Sequence, residues 1–184
     1  MHQGDIVGAI VDAARASTVP GVRLIGIDGP AASGKSTLAR PVAEALGAPL
    51  IEIDDFVSWS DVAGWWPRFD AQVLGPLLAG QDAHYQVRDW QNDEFGEALA
   101  GWKTVAPHPF VVLEGVTCTR RESADRLAVR VWVEVPEDER LRRGIARDGE
   151  SHRHLWERWM GEEAAYFAQD GGRQRADFLV DGTV

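Results

Sequence analysis

The sequence is short of several things at once. It has one cysteine, Cys118, so no disulfide can form within the chain, and this suits a reducing cytoplasm. It has one asparagine, Asn92, followed by Asp93, so the N-K-x-D segment with which a GTPase reads guanine is missing. It has two lysines, Lys35 and Lys103, against seventeen arginines. No apolar run approaches the roughly 20 residues of a bilayer-spanning helix. The opening MHQGDIVGAIVDAARAS carries Asp5 and Asp12 and no basic leader, so neither a membrane partner nor a secretory signal is expected. Positive charge is also in deficit, with a formal net charge of −10. The most basic stretch, Arg140 to Arg147, is interleaved with apolar residues and flanked by acids. A nucleic-acid binder gathers a basic patch, because phosphate contacts dominate its affinity, so no nucleic-acid partner is expected.

What remains is an ordinary globular composition over 184 residues, 45% hydrophobic and 26% charged, enough for a single domain with one core. Apolar runs of strand length, Val22–Ile27, Pro49–Ile53, Phe110–Leu113, Ala128–Val133 and Phe178–Val180, alternate with helical patterns. Runs buried on both faces and separated by helices predict a parallel α/β sheet. Ile6, Val7, Ile10, Val11 and Ala14 recur at helical spacing near the start. A helix over Gly34–Leu46 turns Leu38, Val42 and Leu46 to one face, and Pro41 inside it predicts a kink or local irregularity. Glu137–Arg147 and Leu155–Gln169 read as two further helices. The stretch Ser58–Pro109 is the least regular and holds five of the eight tryptophans. These rings either fill a small second core or, Trp90 first among them, line a pocket for an organic acceptor.

Directly after the first strand comes GPAASGKST, Gly29–Thr37. The spacing of Gly29, Gly34, Lys35 and Ser36 is that of a phosphate loop. Backbone N–H groups of Gly29, Ala31, Ala32, Ser33, Gly34, Lys35, Ser36 and Thr37 would form an anion nest at a helix N-terminus. Lys35 would bridge the β- and γ-phosphates of ATP, and Ser36 would place its hydroxyl on Mg²⁺. The dinucleotide fingerprint is not met, because Gly26 and Gly29 are wrongly spaced for it. IEIDDF then puts Asp54 and Asp55 at the end of the second strand, and VVLEG puts Glu114 at the end of the third. Ligands of parallel sheets bind at that edge. One acid there can order Mg²⁺ and another can take a proton from an attacking hydroxyl. Asp55 reads as a helix cap or loop carboxylate. Arg140, Arg143 and Arg147 share a helix face, either as a solvated run or as a lid over the transferring group.

Together these segments resemble the uridine kinase-like branch of the P-loop kinases, in order from about Val22 to Gly182. GPAASGKST resembles its ATP loop, and DDF, Asp54–Phe56, its D-x-F, which makes Asp54 the catalytic carboxylate. VVLEG resembles the segment whose Glu, here Glu114, accompanies Mg²⁺. RLRRGIARD resembles its arginine lid, with Arg143 and Arg147 balancing charge on the γ-phosphoryl group. Asp70 falls where the family holds the acceptor's ribose hydroxyls, and Arg88 with Trp90 where it contacts the nucleoside. ADFLVDG resembles the closing strand and the loop beside adenine. The resemblance implies a three-layer P-loop sandwich with strand order 2-3-1-4-5 and helices on both faces. It implies an acceptor-binding insertion over about 58–109, a lid over about 139–153 and phosphoryl transfer from ATP to a small-molecule hydroxyl. There are departures. The family's tyrosine is Arg88, its phenylalanine is Trp90, its histidine falls near Asp93, and Gly144 stands where a second lid arginine is common. The kinase reading is therefore better supported than uridine as acceptor. The alternative is a nucleotide-binding regulatory or assembly module with little turnover, and a homo-oligomer is left open.

Overall fold

The computed structural model describes residues 3–183. Its main sheet is built from β1 (Arg23–Asp28), β2 (Leu50–Glu52), β5 (Phe110–Glu114), β6 (Leu127–Glu134) and β7 (Phe178–Asp181). All are parallel and stand in the order β2-β5-β1-β6-β7. Counted among themselves along the chain, the five parallel strands follow the expected 2-3-1-4-5. A separate antiparallel hairpin, β3 (Ala83–Arg88) with β4 (Leu99–Val105), pairs Tyr85 with Lys103. It lies within the stretch 58–109, whose sequence pattern does not announce a hairpin.

The alternation of strand side chains sorts two cores. On one face Ile25, Ile27, Val112, Val129 and Val131 meet Ile6, Ile10 and Ala14 of α1 (Gln3–Ala16) and Leu38 and Val42 of α2 (Lys35–Leu46). The second face carries Leu24, Ile51, Val111, Leu113 and Leu127. It packs on Phe56, Trp65, Phe69, Leu74, Leu77 and Tyr85, and on Trp159 of α6 (Arg153–Asp170). Trp65 is therefore core, as the plainer reading of the tryptophans has it.

α2 runs unbroken through Pro41, so the expected irregularity does not interrupt it. Its end is as expected, with Gly47 in the left-handed region at φ 61°. The helical stretch from Trp66 to Leu78 is compound: α3 (Trp66–Phe69), a π turn (Asp70–Leu74) and α4 (Gly75–Leu78). α5 (Glu137–Asp148), a 3₁₀ turn (Glu150–His152), α6 and α7 (Gly172–Arg175) carry the chain to β7. Among the described residues no helix is long and apolar enough to cross a membrane.

Candidate nucleotide and acceptor site

The turn from β1 into α2 is built to bring backbone close to a ligand. Gly29 has φ +136°, and a Cβ there would lie 2.0 Å from the Val133 carbonyl oxygen, so only glycine fits. Gly34, at φ +94°, opens α2 with its N-terminal amides free of a side-chain cap. Such amides at a helix start favour an anion. The Ser33 hydroxyl is buried there with no protein partner, an orphaned polar atom of the kind a phosphate oxygen would satisfy. Lys35 is buried, and its Nζ donates to the Pro30 carbonyl at 2.8 Å.

Two acids without an expected role hold this loop. Asp28, fully buried at the end of β1, accepts from the amides of Gly29 (2.7 Å), Thr117 (2.8 Å) and Thr119 (2.8 Å) and from the Thr119 hydroxyl (2.8 Å). It thereby ties the loop to the segment after β5. Burial pushes its carboxyl up, and the hydrogen bonds oppose that. Glu163, on α6, accepts from the Ala31 amide (2.9 Å), from Trp159 Nε1 (3.1 Å) and from Arg140 of α5 (2.5 Å). Burial raises its carboxyl, against the Ala31 bond and the Arg140 charge. Arg140 also reaches the Ala31 carbonyl at 3.4 Å. It is thus a buried strut, while Arg143 and Arg147 of the same helix line the cavity. The signal for Glu163 was weak, because Ala31 and Arg140 lie far from it in the chain.

Beyond the loop, the Ser36 hydroxyl donates to Glu114 Oε2 at 3.1 Å. The sequence placed these two at the metal, and the fold brings them together. Burial pushes the Glu114 carboxyl up to about 7, Lys35 opposes this and Asp54 adds to it. A buried carboxylate facing another acid beside a hydroxyl fits a hard cation. Mg²⁺ in such sites takes one or two protein oxygens along with phosphate and water.

A cavity of about 650 Å³ opens from the phosphate loop. Asp54 is exposed to it, with Glu114 at one side. Trp90 lines it too, and its indole N–H donates to the Asp54 carbonyl at 2.8 Å, fixing the turn that carries the carboxylate. Asp55 points elsewhere, paired with Lys103 at 2.7 Å and with Tyr85 Oη at 3.4 Å. It is neither a cap nor a free loop acid. The far wall is aromatic: Trp59, Trp156 and Trp159 join Trp90.

α5 presents Arg143, whose guanidinium donates to the Gly182 carbonyl at 3.1 Å and to Glu139 at 2.8 Å. Arg147 pairs with Asp148 at 2.8 Å and lies over the Trp156 ring at 5.3 Å. Gly144 between them is a packing position: a Cβ would come 2.4 Å from Trp156.

Two expected acceptor contacts are corrected. Asp70 is exposed at the start of the π turn and does not line the cavity. Arg88 is buried, and its guanidinium donates to the carbonyls of Asp89 (3.0 Å), Ala98 (3.0 Å), Asp93 and Gly96. It organises the hairpin loop and stacks behind Trp90, 4.9 Å from the ring centroid.

A parallel sheet in this order, a glycine-bounded phosphate loop and acids at the ends of β2 and β5 define a P-loop protein with the fold of the small-molecule kinases. The chain belongs to the AAA domain family, whose profile matches residues 25–165. No curated protein matches it in sequence. Among solved structures it is similar to "a Possible Uridine Kinase" from Bacillus stearothermophilus, at 20% identity and a TM-score of 0.70, covering 98% of this chain and 100% of that one. It is also similar to a "putative fructose transport system kinase" from Silicibacter sp. TM1040, at 22% identity and a TM-score of 0.61, covering 97% and 98%. At these identities the likeness is one of fold.

Proposed function

We propose that the protein is an ATP- and Mg²⁺-dependent phosphotransferase that moves the γ-phosphoryl group to a hydroxyl of a small molecule. The observation that carries this reading is one cavity shared by the phosphate loop, the Ser36–Glu114 pair and the exposed Asp54 carboxylate. A protein that only sensed nucleotide would not need a carboxylate beyond the metal ligands, facing an organic-lined space. ATP is the donor substrate, held by the amides of the loop and by Lys35. Bound Mg²⁺, held by Ser36 and Glu114 with Asp54 near its water shell, would neutralise charge on the β- and γ-phosphate oxygens.

The acceptor oxygen forms a bond to the γ-phosphorus as the bond from that phosphorus to the β–γ bridging oxygen breaks. ADP leaves with that oxygen, and the hydroxyl proton passes to Asp54. Arg143 and Arg147 stabilise the charge on the transferring group from a lid over about 139–153. Residues of about 58–109 form the acceptor-binding insertion of a single domain. Trp90 offers its ring to the organic body of the acceptor. The buried lone cysteine favours a reducing, cytoplasmic setting.

The test is ADP release from ATP with and without a pool of hydroxyl-bearing metabolites, for the native chain and Asp54→Asn. Acceptor-dependent release that Asp54→Asn abolishes, with nucleotide binding retained, is expected. Release that ignores both the acceptor pool and Asp54→Asn would overturn the reading in favour of a nucleotide-binding module.

A further inference from the structure

The cavity's cations, Lys35, Arg143 and Arg147, belong to the phosphate loop and α5, where Glu114 and Asp148 add carboxylates. On the acceptor side the charged side chains are Asp54 and Glu94, both carboxylates. Among the described residues neither is ion-paired with a lysine or arginine; Glu94 Oε1 meets His152 Nε2 at 2.6 Å. The walls between them are indoles set as a box. Trp59 stands nearly perpendicular to Trp90 (89°), Trp156 (77°) and Trp159 (86°), with centroids 6.4, 5.9 and 5.9 Å away.

Indole faces at right angles, with carboxylates beside them, attract a poorly hydrated cation, through the ring quadrupole and through charge. One wall already holds such a group: the Arg147 guanidinium lies over Trp156. A lid arginine drawn to the phosphates would vacate that face. A polyhydroxy body finds little to recognise it there, since Asp70 lies outside and Arg88 is spent on loop carbonyls.

From this arrangement we infer that the acceptor is a cationic alcohol, an amine or quaternary ammonium compound whose charged end sits in the tryptophan box while its hydroxyl faces Asp54. The identity of the reacting end rests on the phosphotransferase reading; the cation site does not.

Binding is measured first, by titration calorimetry of the full chain with tetramethylammonium, choline and the neutral isostere of choline in which carbon replaces nitrogen. Choline should bind roughly tenfold or more tightly than its isostere. Trp59→Ala should erase that difference, and Glu94→Gln, a half-buried change outside the core, should shrink it. ADP release is then followed with the two alcohols. Equal binding of the charged and neutral compounds, or no binding of either, overturns the cation site and leaves phosphotransfer to other acceptors standing. Selective binding of the cations without ADP release from choline or other amino alcohols upholds the box and counts against the phosphotransferase reading. A preference that survives both Trp59→Ala and Glu94→Gln overturns the assignment to these residues.

Discussion

Single residues in this protein are told apart by what surrounds their charge. Lys35 and Lys103 are the two lysines; one lies buried in the phosphate loop, the other is half-exposed and paired with Asp55. Lys35→Ala should lower kcat/KM by ~10²-fold or more, because it removes charge from the transferring group. The fold should stay intact by circular dichroism, and unchanged turnover would contradict the loop's role. Glu114 gives a stability test with a definite sign. Folding raises its carboxyl from 4.5 to about 7. Between those values the folded chain holds a proton that the unfolded chain has lost, so stability falls as pH rises through the window. The penalty is complete above it, on the order of 3 kcal/mol at most. In chelator and without nucleotide, Glu114→Gln should therefore raise Tm at about pH 8 and have little effect at about pH 4.5. Melting curves displaced equally at both pH values would contradict the burial of this carboxyl.

Among the elements, α5, α6 and the phosphate loop meet at Glu163. Removing one partner of a buried ion pair strands the other charge, so Glu163→Ala should cost about 3–5 kcal/mol. Replacing both Arg140 and Glu163 by leucine should cost less, and chemical denaturation of the single and double variants decides this. Gly144→Ala would press on Trp156 and should destabilise by about 1–3 kcal/mol, with a change in the near-ultraviolet dichroism of the tryptophans. What the sequence disclosed at this scale follows from burial. The parallel strands were legible because both faces are covered and the apolar runs are continuous. β4 was not, since LAGWKTV is mostly exposed and has no buried stripe to read. β2 is shorter than its apolar run because Ile53 turns into a 3₁₀ turn carrying Asp54 and Asp55. Asp70 was expected at the acceptor from the resemblance alone; it opens an exposed π turn outside the cavity. Ser36, Glu114, Asp54, Arg143 and Arg147 were legible as a cavity because they sit at strand ends or on one face of a regular helix. Asp28 and Glu163 were not, because they bond backbone amides in ways no motif spells out.

For the molecule as a whole, the sheet is the platform, and under the proposed function α5 is the part expected to move. Arg143 and Arg147 are occupied by Gly182, Glu139 and Asp148 without ligand, and closing over a phosphate requires them to exchange these partners. Hydrogen exchange should slow across residues 139–153 when Mg²⁺ and ATP are added, and stay unchanged in β1 and β5; an unresponsive 139–153 segment would contradict a lid. The central claim is that the γ-phosphoryl group ends on an organic hydroxyl, and the fate of labelled phosphorus tests it most directly. The protein is incubated with γ-labelled ATP, Mg²⁺ and a protein-free extract of small metabolites, and the label is followed by chromatography. The account predicts label in an organic phosphate ester that forms with the native chain and not with Asp54→Asn. Label released only as inorganic phosphate, or left on ATP, would contradict it.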